Sequence, residues 1–387
     1  MRPKILASAG EASGDLYAAQ LVEQLRRDLP DAEFFGCAGH RMRAAGVRPV
    51  VDAASLSVVG LLEVVAHVPR IYLEYRRLLA AARRERPDVA ILTDSPDFHL
   101  PLARRLKKLG IPVVYLVAPQ VWAWRKGRIR QIRRNTDRLL CIFPFEEDFF
   151  RRQRVRADYI GHPLARLVRP VFSKEELFQR HALPKDRPLI ALLPGSRRGE
   201  VFRHLPALLD AVDRLRQRAT LGFALALPTG FSRDGGAAVR QRIGDLPVRV
   251  VEGETWDVIA HSELALAASG TVTVETALLG TPMVTFYKVA SLSWLLGKLL
   301  VDVPHYCMVN LVAGRSIVPE LMQNEVRGDR LAAEALRLLE DSGARERMRV
   351  ELSEVAAKLS VGSDPMERAA TIVKQLLNVD HGVSHVA

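Results

Sequence analysis

Short apolar runs alternate with longer amphipathic stretches through the first half of the chain. Apolar runs without polar alternation are typical of parallel strands buried on both faces, and the amphipathic stretches have a helical period. This alternation predicts a doubly wound α/β domain. The predicted strands are Ile5–Ser8, Ala32–Cys37, Val89–Thr93, Val113–Val117 and Leu139–Phe143, and the predicted helices lie near Ser13–Leu29 and Leu61–Arg84.

The same alternation starts again after a polar stretch, 161–172, that contains two prolines. A chain of 387 residues exceeds the usual size of one hydrophobic core, so we expect two domains. The expected domains are 1–165 and 166–360, and a helix and tail at 361–387 are expected to return to the first domain. The strands predicted in the second half are Leu189–Leu193, Leu221–Leu227, Val248–Val251, Leu264–Ala267 and Met283–Phe286.

Basic residues exceed acidic ones by 56 to 44, which gives a formal charge of +12 and favours an anionic partner. The basic residues concentrate at 125–134 and 151–156. Solvated helix faces and an anionic membrane surface both explain them. The chain carries no RNP, KH, helix-turn-helix or zinc-finger signature, so we expect no nucleic-acid partner.

Cysteine usage and hydropathy predict a protein of the reducing cytoplasm. The chain has three cysteines and no CxxC pair, which argues against a disulfide framework or a cysteine zinc site. The N-terminus does not read as a signal peptide, and no apolar run reaches the ~18 residues of a membrane span. The most apolar segment, 289–303, contains Lys298 and Asp302. It fits either an interfacial helix or a buried domain-interface helix.

Two glycine-bearing segments in the second half predict a diphosphate site. PGSR at 194–197 and SGT at 269–271 each follow a predicted strand. Small residues allow a backbone to approach phosphate oxygens, and an arginine supplies a permanent charge with several donors. A glutamate one helical turn later can accept hydrogen bonds from sugar hydroxyls. The predicted donor-binding residues are Gly195, Ser196, Arg197, Ser269, Gly270, Thr271 and Glu275.

Loops that follow the first-half strands are the other candidate positions, because ligands of open α/β sheets lie beyond the carboxyl ends of the strands. The segment GEASGD at 10–15 has glycines that permit close approach and a serine suited to cap a helix. Asp94 ends a predicted strand, whereas Asp97 follows Pro96 in the first turn of a helix. Position therefore favours Asp94 as a general base, and the alternative that both carboxylates only cap the helix stays open.

Aromatic and amide side chains complete the candidate site. Trp122 and Trp124 lie beside the basic cluster and suit a sugar ring or an acyl chain. His162 is either a ligand contact or a hinge residue, and Asn310 and Arg315 occupy a loop near the apolar segment. Histidine and carboxylate spacings fit no common metal motif, so we expect no metal and no other cofactor.

These motifs, in this order, resemble the lipid-A-disaccharide synthases, a family of GT-B glycosyltransferases of Gram-negative bacteria. The resemblance spans nearly the whole chain, with small departures at Ala12, Ser95 and His99, where the family often has Thr, Ala and Asn. The matching segments are GEASGD (10–15), DSPDF (94–98), PQVWAW (119–124), FPFE (143–146), IGH (160–162), LLPGSR (192–197), ASGT (268–271) and NLVAGR (310–315).

The resemblance implies a fold and a reaction. The fold is two Rossmann-like domains facing each other across a cleft. The reaction transfers 2,3-diacylglucosamine from its UDP conjugate to 2,3-diacylglucosamine 1-phosphate with inversion, giving a β-1,6-linked disaccharide and UDP. It implies catalytic roles for Asp94, Asn310 and Arg197. The residues implied to lie near the acceptor or a sugar are Glu11, Ser13, Gly14, Trp122, Trp124, His162 and Arg315.

Acylated substrates and a basic surface together predict a peripheral protein on the inner face of the cytoplasmic membrane. Two alternatives stay open, namely an isomerase of the UDP-N-acetylglucosamine 2-epimerase type and a nucleotide-sugar-binding protein without catalysis. The sequence leaves the acyl-chain length and the oligomeric state undetermined, including a homodimer that exchanges its C-terminal helices.

Overall fold

The structure is a computed structural model that describes residues 2–56, 61–289 and 303–382. The chain forms two compact units, and each is described by itself. Unit 1 comprises residues 1–163 and 359–387, and unit 2 comprises residues 164–358. The two junctions lie two residues before the boundaries expected after 165 and 360.

Unit 1 is built on a parallel sheet of seven strands in the order β3-β2-β1-β4-β5-β6-β7. This is a doubly wound sheet, in which the chain crosses from the edge strand β3 back to the centre at β4. The edge strands β3 and β7 were not predicted, because they are short and mix polar with apolar residues. The strands are β1 Lys4–Ala9, β2 Glu33–Ala38, β3 Arg48–Asp52, β4 Val89–Thr93, β5 Val113–Leu116, β6 Arg138–Cys141 and β7 Ala157–Tyr159.

The helices of unit 1 cover the sheet with apolar side chains. Leu78, Leu102, Ile132 and Phe150 come from four successive helices and are fully buried in one hydrophobic cluster with the strands. These helices therefore lie on the same face of the sheet. The four helices are α3 Leu61–Glu85, α4 Pro96–Lys108, α5 Ile129–Asn135 and α6 Pro144–Arg152, and they are preceded in the chain by α1 Ala12–Asp28 and α2 His40–Ala44.

Unit 2 contains a second parallel sheet, of six strands in the order β10-β9-β8-β11-β12-β13. Its central strands are almost wholly apolar and buried, as the sequence predicted, and only the short edge strand β13 was not anticipated. The strands are β8 Leu189–Leu193, β9 Gly222–Leu227, β10 Val248–Glu252, β11 Leu264–Ala268, β12 Met283–Tyr287 and β13 Glu320–Met322.

Ten described helices accompany the second sheet. The ones that matter for the site are those that begin directly after a strand, because their N-terminal amides face the carboxyl edge of the sheet. The helices are α7 Leu164–Leu167, α8 Lys174–Arg180, α9 Arg198–Arg216, α10 Phe231–Asp234, α11 Gly236–Ile243, α12 Thr255–Ala260, α13 Thr271–Leu278, α14 Met308–Ala313, α15 Gly328–Glu340 and α16 Ser342–Leu359.

The last helix, α17 (Pro365–Gly382), belongs to unit 1 and packs against α1. The Lys374 ammonium lies 2.5 Å from the Asp28 carboxylate. Gly161 has a φ of +92°, and a Cβ on it would lie 2.7 Å from the side chain of Val361. These contacts join the final helix to the unit that contains α1.

The apolar segment 289–303, expected at a membrane or a domain interface, lies outside the described residues at 290–302. Among the described helices, each is too short or too polar to cross a bilayer.

Candidate active site

Asp94 lies at the carboxyl edge of the unit 1 sheet, directly after β4. Strands β1 and β4 are neighbours with Ala9 opposite Thr93, so the loops that follow them meet. The backbone N–H of Gly10 donates to Asp94 Oδ1 at 2.9 Å, and that of Glu11 donates to Oδ2 at 3.1 Å. The structure thus brings three sequence-predicted elements together: the GEASGD loop, the start of α1 and the Asp94 carboxylate.

The environment of Asp94 changes its acidity. Burial raises the pKa of Asp94 to about 7, although hydrogen bonds from Ser95, Gly10 and Glu11 oppose that rise, and the nearby Glu11 charge adds to it. A carboxyl group that titrates near neutral pH can accept a proton in one step and release it in the next. Asp94 therefore has the acidity expected of a general base.

Two glycines make room for Asp94. A Cβ on Gly14, in the first turn of α1, would lie 1.6 Å from Asp94 Oδ2, and a Cβ on Gly10 would lie 2.2 Å from Ser95 Oγ. Neither position admits a larger residue without moving the carboxylate loop. The predicted contact of Gly14 with a sugar stays a prediction. Glu11 and Ser13 are exposed at the start of α1.

Asp97 has a different setting from Asp94. It lies in the first turn of α4, and its carboxylate pairs with the guanidinium groups of Arg125, at 3.0 Å, and Arg128. Its side chain is 72% exposed. Because Asp97 is solvated and paired with two cations, it is a weaker candidate for the base than Asp94.

The two tryptophans of the 119–125 loop are in different environments. Trp122 is half-buried, donates its indole N–H to Glu146 at 3.0 Å and packs edge-on against Phe145. Trp124 is exposed, and the Arg125 guanidinium lies 4.4 Å from the centre of its ring. Trp124 thus has the accessible aromatic surface, whereas Trp122 is held in place by Glu146.

His162 is buried in an aromatic group of unit 1. Its ring centre lies 5.1 Å from that of Phe143 and 6.2 Å from that of Tyr17. Burial lowers the pKa of His162 to about 3, so the imidazole is neutral at physiological pH. Its predicted contact with a ligand stays a prediction.

In unit 2, the two glycine-bearing segments occupy neighbouring loops. Strands β8 and β11 pair in parallel, so 194–197 and 269–270 leave the same edge of the sheet and open α9 and α13. Ser196, Arg197, Gly270 and Thr271 are exposed. Within the part of the chain that the structure describes, a Cβ on Gly270 would meet no atom within 4 Å. This arrangement leaves space in front of two helix N-termini, which is the environment that favours a bound phosphate.

Side chains outside the predicted set support the 194–197 loop. Gly195 has a φ of +112°, and a Cβ there would lie 2.8 Å from Glu200 Oε2. The Glu200 carboxylate accepts from the Arg197 N–H at 3.3 Å and from the Tyr287 hydroxyl at 3.2 Å. The buried His204 contacts the Pro194 carbonyl through Nδ1 at 2.7 Å. The loop is therefore held in position from α9 and β12.

Glu275 and Ser269 make contacts within the protein. Glu275 lies one turn into α13, where burial raises its pKa and a hydrogen bond with Trp256 opposes the rise. The Ser269 hydroxyl donates to the Tyr306 carbonyl at 3.2 Å. The predicted contacts of both residues with a nucleotide remain predictions.

Asn310 is fully buried, and its amide hydrogen-bonds to the protein on both sides. Its Oδ1 accepts from the N–H groups of Ile317 and Val318 at 2.8 and 3.0 Å, and its Nδ2 donates to the Val318 carbonyl and to Glu320. These bonds shape the loop after α14. Its predicted position near the reaction centre stays a prediction. Arg315, on the same loop, pairs with Glu351 and Glu354.

The sequence interpretation did not identify Glu146 and Glu200 as residues that support the site loops, although each lies three residues after the N-cap residue of its helix, and this spacing was a usable signal. Each lies at the third position of a helix, and its carboxylate accepts from the N–H of the N-cap residue, Phe143 in one case and Arg197 in the other. This is half of a capping box. Within residues 2–56, 61–289 and 303–382, no group of three His, Cys, Asp or Glu side chains could hold a metal ion.

Comparison with known proteins gives a consistent family. The family model described as lipid-A-disaccharide synthetase matches residues 5–373. A protein of Solibacter usitatus named lipid-A-disaccharide synthase is 61% identical over 385 residues, which is 100% of both chains. A protein of Koribacter versatilis with the same name is 44% identical over 380 residues, 97% of this chain and 98% of that one.

Solved structures share the fold at low sequence identity. The UDP complex of S. aureus MnaA has a TM-score of 0.69 at 13% identity and covers 97% of each chain. A glycosyltransferase of kitacinnamycin has a TM-score of 0.62 at 17% identity and covers 97% of this chain and 100% of that one. These likenesses confirm the predicted fold class of two parallel-sheet Rossmann-like domains.

The match over residues 5–373 and the full-length identity agree with the motif resemblance from Gly10 to Arg315. The chain belongs to the lipid-A-disaccharide synthase family.

Proposed function

We propose that this protein is a UDP-sugar-dependent glycosyltransferase that forms the lipid A disaccharide. In the proposed reaction, 2,3-diacylglucosamine passes from its UDP conjugate to the 6-hydroxyl of 2,3-diacylglucosamine 1-phosphate, and UDP is released. The observation that carries the proposal is the family match along 5–373, together with full-length identity of 61% to a protein named lipid-A-disaccharide synthase.

The chemistry of unit 1 fits the activation of an alcohol. A hydroxyl group attacks the anomeric carbon only if its proton is removed as the new C–O bond forms. We assign this step to the Asp94 carboxylate, whose two oxygens are oriented by the amides of Gly10 and Glu11. Its pKa of about 7 leaves a large fraction ionised at neutral pH. Single displacement from the opposite side inverts the configuration at the anomeric carbon.

The chemistry of unit 2 fits the leaving group. As the glycosidic bond to UDP breaks, negative charge builds on the diphosphate. Donors fixed in advance stabilise that charge. We assign this role to Arg197 and to the N-terminal amides of α9 and α13. The open space in front of Gly270 suits the phosphates, and Glu275 is assigned to the ribose.

The first prediction concerns the product. Incubation with both diacylated monosaccharides should give the tetraacyl disaccharide phosphate and an equal amount of UDP, measured by mass spectrometry. Addition of EDTA should leave the rate unchanged, since the proposed site neutralises the diphosphate without a metal. UDP-N-acetylglucosamine alone should give no epimer. Release of UDP without disaccharide, or epimerisation, contradicts the proposal.

The second prediction concerns the base. Asp94→Asn should reduce kcat by about 10³-fold, because the amide cannot accept the proton, whereas the UDP affinity measured by calorimetry should not change. In the parent enzyme, kcat/KM should rise with pH and level off above about 7, because only the ionised carboxyl is active.

Asp97→Asn is the matched control for the base assignment. It removes a carboxylate three residues from Asp94, in the first turn of α4. Because this carboxylate is not the proposed base, kcat should stay within about threefold of the parent, far less than the contribution of general-base catalysis. If Asp97→Asn is the inactive variant and Asp94→Asn is active, the base is Asp97.

The third prediction concerns the donor loop. Gly270 has extended backbone, and none of the described residues has an atom near its Cβ position. Gly270→Val should therefore fold normally but place two methyl groups where a phosphate is expected. The UDP affinity should fall by at least about tenfold, roughly the loss of one charge-assisted hydrogen bond. Gly127→Val, at an equally open position in unit 1, is the control and should bind UDP normally. Equal affinities for both variants contradict the assignment.

Membrane association is the part of the proposal that concerns the acyl chains. Val68, Tyr72 and Leu73 of α3 are exposed, with Tyr72 at 59%. Exposed apolar side chains grouped on one helix are typical of an interfacial contact. A cavity of about 580 Å³ in unit 1 is lined by Lys126, Arg130 and Arg133 around the apolar side chains of Ile129 and Phe149.

Helices α3 and α5 pack on the same hydrophobic cluster, so the apolar and the basic surfaces belong to one face of the unit 1 sheet. This combination supports attachment to an anionic bilayer surface. We include peripheral attachment at the inner face of the cytoplasmic membrane in the proposal. A homodimer stays a hypothesis from the sequence.

The fourth prediction tests the membrane surface. The double variant Tyr72→Ser, Leu73→Ser should lower co-sedimentation with vesicles of phosphatidylglycerol and phosphatidylethanolamine by about tenfold or more, since each side chain contributes roughly 1.5–3 kcal/mol on full burial. Val171→Ser, which changes a 74% exposed side chain in unit 2, is the control. An equal loss for the control, or no loss for the double variant, locates attachment elsewhere.

A further inference from the structure

The backbone at Asp94 has an unusual conformation. Asp94 and Ser95 have φ values of +56° and +40°, so two consecutive residues other than glycine are in the left-handed region. Residues with a Cβ disfavour this region, and such conformations persist only where the surroundings hold them. A specific set of contacts must therefore fix this peptide segment.

We propose that His99 and Tyr115 are positioning residues for Asp94, which hold its carboxylate in the active orientation by donating two hydrogen bonds to its backbone carbonyl. The inference rests on the proposed function, because it deepens the assignment of Asp94 as the base. Neither residue is among those the sequence motifs assigned to the site.

The contacts are direct, and the His99 and Tyr115 side chains that make them are fully buried. The Tyr115 hydroxyl donates to the Asp94 carbonyl at 2.5 Å, and His99 Nδ1 lies 2.9 Å from the same oxygen. A carbonyl only accepts, so Nδ1 carries the proton. The other ring nitrogen, Nε2, then accepts from the Ser8 hydroxyl at 2.7 Å. The Asp94 carbonyl therefore fixes the tautomer, and the Ser8 hydroxyl on β1 matches it by donating to Nε2.

This carbonyl contact determines where the carboxylate points. With the peptide held in the left-handed region, the Asp94 side chain reaches the N–H groups of Gly10 and Glu11 and fills the space that Gly14 leaves. A peptide that relaxed toward a common conformation would carry the carboxylate away from both amides. Those amide bonds favour the ionised form, so their loss raises the pKa of Asp94.

The titration of Asp94 can be followed separately from that of the groups that face it. Burial lowers the pKa of His99 to about 4, raises the pKa of Cys37 to about 12 and also raises the pKa of Tyr115. These three groups therefore keep one protonation state near neutral pH. Glu11 adds a negative charge from the β1–α1 loop. The surrounding groups on the α4 side are Asp97 with its partners Arg125 and Arg128.

Three single variants separate positioning from packing. His99→Asn keeps an N–H at the place of Nδ1, and the family resemblance gives Asn as the frequent residue here. His99→Gln instead extends toward the place of Nε2 and the Ser8 hydroxyl, and so loses the bond to the Asp94 carbonyl. Tyr115→Phe removes the hydroxyl and retains the ring.

The fifth prediction is a pattern across these variants, measured as the pH profile of kcat/KM. His99→Gln and Tyr115→Phe should lower kcat at pH 7 by about tenfold, the usual effect of one buried hydrogen bond, and should move the midpoint of the profile upward by about one pH unit. His99→Asn should retain the parent midpoint. The UDP affinity should be unchanged in all three.

A second measurement makes the outcome independent of catalysis. In ¹³C-aspartate-labelled protein, with the Asp94 signal identified by its absence from Asp94→Asn, His99→Gln and Tyr115→Phe should raise the pKa of Asp94. An unchanged Asp94 pKa in both variants overturns the inference, whether kcat falls or not. If the pKa rises while Asp94→Asn remains active, the positioning role stands and the proposed base is wrong.

Discussion

The structure depends first on one carboxylate bound by two backbone amides. Strands β1 and β4 are neighbours in register, and this pairing brings the N–H groups of Gly10 and Glu11 to the two oxygens of Asp94. The glycine at the start of α1 is required by the same contact, because any side chain there would collide with Oδ2. Strand order, loop sequence and helix start are thus all constrained by one interaction.

The two units use glycine for opposite purposes. In unit 1, the space beside Gly14 is filled by a protein carboxylate, which gains a raised pKa from its burial. In unit 2, no atom of the described residues lies within 4 Å of the Cβ position of Gly270, and helices α9 and α13 begin at this edge of the sheet. The first environment suits proton transfer, and the second suits an anion supplied by a ligand. In the proposed function, the same fold class therefore serves two chemical tasks.

Much of this was readable from the sequence, for physical reasons. The central strands are continuous apolar runs, because they are covered on both faces, and the pattern predicts them; the edge strands β3, β7 and β13 are short and partly polar, so the pattern does not. Position after a strand favoured Asp94 over Asp97 as the base, which stays a prediction; the structure gives Asp94 backbone amides as partners and Asp97 two arginines.

What the sequence could not provide are side-chain contacts that depend on how loops fold against one another. The bond from Trp122 to Glu146 is one example, and the approach of His99 and Tyr115 to one carbonyl is another. These depend on the distance between neighbouring loops, which no local pattern encodes. The same holds for Asn310, whose fully bonded amide is a property of the loop that folds around it.

The return of α17 to α1 has a consequence for biosynthesis. The residues of unit 2 leave the ribosome before α17, yet α17 buries Ala369, Ala370 and Val373 in unit 1. The surface of α1 that α17 covers is therefore exposed while the residues of unit 2, roughly half the polypeptide, are translated. During that interval the nascent chain exposes an apolar surface that is prone to aggregation, which is the kind of surface that chaperones bind.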